Sequence, residues 1–241
     1  MKIRIKFRKW GVMKFIGHLD MMRYFQKAIR RSEINICYSE GFSPHQIMSF
    51  AAPLGVGITS DGEYLDIEVH STKSTAETLS IMNQTMVEGV EVTGYVKLPD
   101  NAKTAMSIVA AADYTLSYKE GYESPLSVEQ WQNTVNEHFK EAESFSIIKK
   151  TKKSEREVDL KPLVYAFEVK ESADQKPEFF LKVSTGSVDN IKPELVLSSL
   201  YEKLGLEYNE NAIQIHRMEV YAKSEETEEF ISLLDLGEEI L

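Results

Sequence analysis

Polar and apolar residues alternate over the opening strand 1–9 as far as Arg8, with Ile3, Ile5 and Phe7 on one side and Lys2, Arg4, Lys6 and Arg8 on the other. A period of two is that of a half-buried strand, so one face of this strand is expected to be wholly cationic. The period changes at His18. From there to residue 31 it fits a helix, with Leu19, Met22, Phe25 and Ile29 toward the core and Arg23, Lys27 and Arg30 spaced i, i+4, i+7 on another face. Ile34, Ile36 and Tyr38 alternate as a second strand. A connection punctuated by glycine and proline, 39–62, leads to a third strand over 64–70, with Leu65, Ile67 and Val69 inward. Ser74 and Glu77 form a capping-box pattern ahead of Leu79, Met82 and Met86. Gly89 is placed to stop that helix, and 90–98 supplies a fourth strand.

The second half runs through a similar order. Residues 113–119 read as a strand, and Ser127 with Gln130 caps a helix carrying Val128, Trp131, Val135 and Phe139. Strands are expected at 145–150, 163–169 and 179–183. Pro193 opens a helix through Leu197, Leu200 and Leu204, and 213–221 returns as a strand. The pattern predicts an α+β protein of two tandem ferredoxin-like (βαββαβ) modules with antiparallel sheets, residues 1–100 and 113–223, joined near 99–112. A single larger α+β domain with one continuous sheet is the alternative. The acidic tail, 224–241, reads as a solvated C-terminal appendage, with a short helix docking through Phe230, Ile231, Leu233 and Leu234 as the alternative.

Charge sharpens this picture. The chain of 241 residues has a formal net charge of −10, yet residues 1–35 hold ten basic residues against only Asp20 and Glu33. An acidic protein therefore has a basic end, and Lys2, Arg4, Lys6, Arg8, Arg23, Lys27 and Arg30 become candidate contacts for RNA or a partner protein. The same strand face could instead meet the acidic second half in a salt-bridged seam. The longest apolar runs are too short to cross a membrane and no signal-peptide core opens the chain, so a cytoplasmic protein is expected. The single cysteine, Cys37, excludes an internal disulfide and a cluster held by this chain's own thiolates; no cofactor of its own is expected.

Candidate chemistry is sparse. His18, Asp20, Cys37 and His45 are the residues that most resemble metal ligands, but their spacing matches no zinc pattern, and no metal site is expected. His18 or His45, with Asp20, are the candidates for general acid–base catalysis, because an imidazole titrates near neutrality. The turn Gly41-Phe42-Ser43-Pro44-His45 lacks the lysine and glycine spacing of a phosphate-binding loop. It reads either as a tight connection or as a loop presenting Phe42 and His45 for stacking on a base.

The runs Gly17-His18-Leu19-Asp20-Met21-Met22-Arg23, Tyr38-Ser39-Glu40-Gly41-Phe42-Ser43-Pro44-His45, Pro53-Leu54-Gly55-Val56-Gly57 and Gly62-Glu63-Tyr64-Leu65-Asp66 together resemble one family. It is the radical SAM-linked protein family, a domain found beside, or fused to, B12-binding radical SAM proteins. A second stretch, Arg156-Glu157-Val158-Asp159-Leu160-Lys161-Pro162, is similar to another motif of that family, whereas Ser43 stands where many members have Asn. The resemblance implies a B12-binding radical SAM protein as partner, which would hold the cluster and the cobalamin. It also suggests an RNA-modification or ribosome-related setting, and it carries over no catalytic residue. The expected function is thus an accessory protein binding that enzyme, its RNA substrate, or both. The alternatives are an RNA-processing or RNA-modifying enzyme with a histidine acid–base, and a structural assembly factor.

Overall fold

A computed structural model describes residues 1–150, 155–187, 189–224 and 226–241. In chain order its elements are β1 (Lys2–Lys9), α1 (His18–Arg31), β2 (Asn35–Ile36), β3 (Met48–Phe50), β4 (Thr59–Ser71), α2 (Thr75–Thr85), β5 (Val90–Lys97), α3 (Ala105–Ile108), β6 (Val109–Tyr118), α4 (Val128–Val135), β7 (Ser146–Lys150), β8 (Glu155–Asp159), β9 (Val164–Glu171), β10 (Pro177–Ser184), α5 (Pro193–Lys203), β11 (Ile213–Lys223) and β12 (Phe230–Ser232). The fold is α+β, with a ten-stranded sheet of order β5-β1-β4-β11-β6-β10-β9. To this path β12 adds on β11, while β2 and β3 add on β4; β7 and β8 form a separate pair. The α+β class is the one that the hydrophobic pattern predicts. Residues 1–111 with 217–241 form one compact unit and residues 112–216 a second.

In the first unit β1 pairs antiparallel with β4 on one edge and with β5 on the other, setting Ile5 opposite both Leu65 and Tyr95. Ile3, Ile5 and Phe7 form one core with Leu65, Ile67, Val69, Val92 and Tyr95 of the neighbouring strands and with α1 and α2. Phe7 meets Phe25 of α1 at a ring separation of 4.6 Å. The buried stripe of α1 is Met21, Phe25, Ala28 and Ile29. This is one step round from the expected Leu19 and Met22, and it leaves Leu19 exposed. Ser74 caps α2 as its sequence predicts, accepting from the backbone N–H of Glu77.

The C-terminal segment is a correction to the sequence reading. Instead of a solvated appendage or a docking helix it forms β12 and a 3-10 turn, Leu233–Leu236, and it belongs to the first unit. Leu233 is buried, and Lys97 and Glu238 exchange both backbone hydrogen bonds, at 2.8 and 2.9 Å. A Cβ on Gly94 of β5 would lie 2.7 Å from Leu234 Cδ1. The second face of the β5-β1-β4 sheet is therefore covered by chain from the far end of the sequence.

In the second unit β9 and β10 pair antiparallel, and Trp131 of α4 is fully buried against Phe179 of β10 and Tyr201 of α5, at 5.2 and 5.0 Å between rings. Its indole N–H donates to Ser124 Oγ at 2.9 Å, so its one polar atom is satisfied. Ser127 and Gln130 form the expected capping box. The helix that they start ends at Val135 and passes into a single π-helical turn carrying Phe139. No helix among the described residues is long and apolar enough to cross a membrane.

Candidate nucleic-acid interface

The cationic side of β1 is not an open surface. Arg4 is buried and paired with both oxygens of Asp66, and Lys6 bonds Glu219 at 2.6 Å. Lys2 donates to the carbonyl of Ala102 at 2.8 Å, and Arg8 pairs with Asp61 and Glu91 while lying 5.4 Å from the Trp10 ring. The expected solvent-facing stripe is thus corrected in its placement. Of the four carboxylates, Asp61, Asp66 and Glu91 lie in the first half of the chain and Glu219 in the acidic second half, so the expected seam describes the Lys6 pair and not the others. Alternation predicted the two sides of the strand correctly, but it says nothing about what covers the second side.

The basic stripe of α1 does face outward. Arg23, Lys27 and Arg30 are all exposed. Arg23 reaches Asp20 at 3.0 Å in a solvent-screened pair, and Arg30 Nε donates to the carbonyl of Gln26 at 3.1 Å. Beside this helix the chain makes a tight loop closed by a bridge between Tyr38 and Gln46. Ser39 N–H donates to the His45 carbonyl at 2.8 Å, the Ser39 hydroxyl shares a hydrogen bond with His45 Nδ1 at 2.8 Å, and His45 N–H donates back to that hydroxyl at 3.1 Å. Gly41 takes a φ of 109°, a conformation that only glycine adopts without strain, and Phe42 at the tip is fully exposed. Tyr38 at the base is exposed as well. Gln46, buried, donates through Nε2 to the same Gln26 carbonyl at 3.3 Å. One backbone oxygen thus ties the base of the aromatic loop to the cationic helix.

The three candidates for acid–base work occupy different settings. His18 opens α1, half-buried and edge-on to Phe50 at 5.2 Å. Asp20 is exposed in its pair with Arg23, and His45 is held in the loop by Ser39. No hydrogen bond or ion pair links the three. Cys37 is half-buried and free, and no group of three or more His, Cys, Asp or Glu side chains among the described residues is arranged to hold a metal ion.

Sequence reasoning missed a second polar cluster. His18 lines a small cleft with Lys9, Phe7, Met21, Phe50, Ala52, Pro53, Leu54 and Glu63; His18, Met21, Pro53, Leu54 and Glu63 come from three of the four motif runs quoted above, and Phe7 and Lys9 from β1. Lys9 and Glu63 are buried, and Glu63 is held at both oxygens by Arg217 of β11, at 2.8 and 2.5 Å. The signal for Lys9 was its parity. It continues the odd-numbered row of Ile3, Ile5 and Phe7 and so inherits the core side. The side chain of Arg156, in the second family-like motif, lies outside the described residues.

Comparison with known proteins adds a family and little else. No curated protein matches the chain. A chain from a structure titled "Crystal Structure of a Cbf5-Nop10-Gar1 Complex" is similar at 12% identity and a TM-score of 0.48, over 92% of this chain and 50% of that one. Residues 2–193 match the family described as "Uncharacterized protein conserved in bacteria (DUF2344)", and with that match over most of its length the chain belongs to this family.

Proposed function

We propose that this protein is a cytoplasmic accessory factor that binds single-stranded RNA on α1 and the 38–46 loop, and that it presents this RNA to a B12-binding radical SAM enzyme. The observation that carries the reading is the double use of the Gln26 carbonyl, which joins the Arg30 turn of α1 to the base of the loop bearing Phe42. Exposed aromatics beside exposed cations are the two parts that sequence-tolerant single-strand binding needs: a stacking platform for bases and a charge track for phosphates. Phe42 and Tyr38, with His45 at the loop's foot, supply the first; Arg23, Lys27 and Arg30 supply the second. The enzyme partner rests on the resemblance of the Gly17–Arg23 and Tyr38–His45 runs to the radical SAM-linked family. The first unit also supports reading residues 1–100 as a ferredoxin-like module, since β3, β4, β1 and β5 lie in that order and α1 and α2 share one core.

Ultraviolet crosslinking of the full chain to uridine-rich RNA, followed by mass spectrometry of the conjugated peptides, tests this. Conjugates are expected on the peptide carrying Tyr38 and Phe42. Crosslinks confined to other segments, or none above those given by a non-binding acidic protein, reject the assignment.

A further inference from the structure

The cleft at the start of α1 holds a cation that makes no direct ion pair. Lys9 is 2% exposed, and its ammonium has a single hydrogen-bond acceptor among the described residues, the Ile16 carbonyl at 2.6 Å. An ammonium has three donors, and a buried one normally pairs with a carboxylate or surrounds itself with acceptors. Glu63, the one carboxylate lining the cleft, is held at both oxygens by Arg217 and makes no ion pair with Lys9. The first turn of the neighbouring helix carries Asp20, which pairs with Arg23 and does not line the cleft. Gly17 precedes α1, no side chain caps its first turn, and His18 at the first helical position lines the same cleft.

We propose that this cleft is a binding site for one oxyanion group, a carboxylate or a phosphate, received by the Lys9 ammonium and flanked by His18. Its free space is about 20 Å³, room for one water-sized group, so a single oxygen of the anion enters while the rest of the ligand stays outside. Phe7, Met21, Phe50 and Leu54 make the remaining walls apolar, which strengthens a charge-assisted hydrogen bond inside and disfavours free water as a substitute. Burial also pushes the Lys9 ammonium below its ordinary value, against the opposing pull of Glu63. The site is separate from the RNA surface proposed above, which begins at Arg23 and uses none of these residues.

Thermal melting of the full chain at constant ionic strength tests the site, with chloride replaced stepwise by acetate in one series and by inorganic phosphate in another. At least one oxyanion is expected to raise the wild-type melting temperature along a saturable curve, and Lys9→Met to lose that response. A response to acetate alone assigns a carboxylate ligand, and a response to phosphate assigns a phosphate-bearing one. No saturable rise in the wild type, or equal rises in wild type and Lys9→Met, overturns the proposal. Should Lys9→Met fail to fold, His18→Ala at the half-exposed first turn decides: at least threefold weaker anion affinity supports the site, and unchanged affinity overturns it.

Discussion

Arg4 grips both carboxylate oxygens of Asp66, Nε to Oδ1 at 2.8 Å and Nη2 to Oδ2 at 3.0 Å, while its remaining nitrogen donates to the Leu233 carbonyl at 3.1 Å. Asp66 in turn accepts the backbone N–H of Ala105 at 2.6 Å, so one ion pair fixes β1, β4, the start of α3 and the C-terminal turn together. Removing one partner of such a buried pair strands the other charge, which costs about 3–5 kcal/mol. Arg4→Gln should therefore lower the unfolding free energy by about 3 kcal/mol in urea titration. Arg8→Gln, whose pairs are half exposed, should move it by no more than about 0.5 kcal/mol. Equal, small effects for both would show that the Arg4 pair contributes no more than a surface pair.

A second prediction concerns close approach of backbone to backbone. A Cβ placed on Gly62 of β4 would lie 2.6 Å from the Cα of Glu219 and 2.7 Å from the carbonyl oxygen of Met218, neither of which can rotate away. On Gly94 the nearest atoms are the ends of the Leu234 side chain, which can turn. Overpacking in a well-filled site costs about 1–3 kcal/mol. Gly62→Ala is expected near the top of that range and Gly94→Ala near the bottom, with Leu234→Ala recovering part of the Gly94→Ala loss in a double-mutant cycle. Chemical denaturation of the wild type and the four variants checks the order.

Lys9 provides a pH test. Desolvation by burial lowers its pKa below 10.5, Arg217 adds to the effect, and Glu63 opposes it. Between the lowered folded value and 10.5 the unfolded chain binds more protons than the folded one, so the stability contributed by this group rises with pH across that window. Below the window the penalty of a buried charge is present in full. Lys9→Met should thus be as stable as the wild type at neutral pH, or more stable by about 1–4 kcal/mol. Any such gain should shrink as the pH is raised toward 10.5. A gain that stays constant over that range would show that the charge on Lys9 is not its source.

How far these features were legible in the sequence follows from their range. The period of two in β1, the period near 3.6 in α1 and the caps at Ser74 and Ser127 depend on neighbours within a few residues, and all four formed where expected. The short strand β3 was hidden inside the Gly/Pro-rich stretch 39–62, because three residues carry too little period to register. The cover over Arg4 could not be read at all, since Leu233 lies 229 residues away and no local pattern encodes that pairing. For the candidate interface the residue types of α1 and the loop were visible. Their meeting at the Gln26 carbonyl was not, because it depends on how residues 38–46 fold back on the helix.

The interface itself makes separable predictions for its two parts. Arg23, Lys27 and Arg30 are exposed on one helix, so replacing all three by Gln should leave the fold intact. If each neutralises one phosphate, every contact releases counterion. The slope of log affinity against log salt then carries about −0.7 per contact for a single strand. The triple variant should accordingly flatten the slope by about two units and weaken binding most at low salt. Phe42 acts through a different force. It carries no charge, and base stacking on an aromatic ring is worth about 1–3 kcal/mol, so Phe42→Ala should weaken binding about 5- to 150-fold while leaving the salt slope unchanged. Filter binding of a uridine-rich single strand across a salt series, with melting curves for each protein, reads both effects. A Phe42→Ala protein that binds as the wild type does would leave the loop as a mere connection, and a triple variant with an unaltered slope would move the phosphate track off α1.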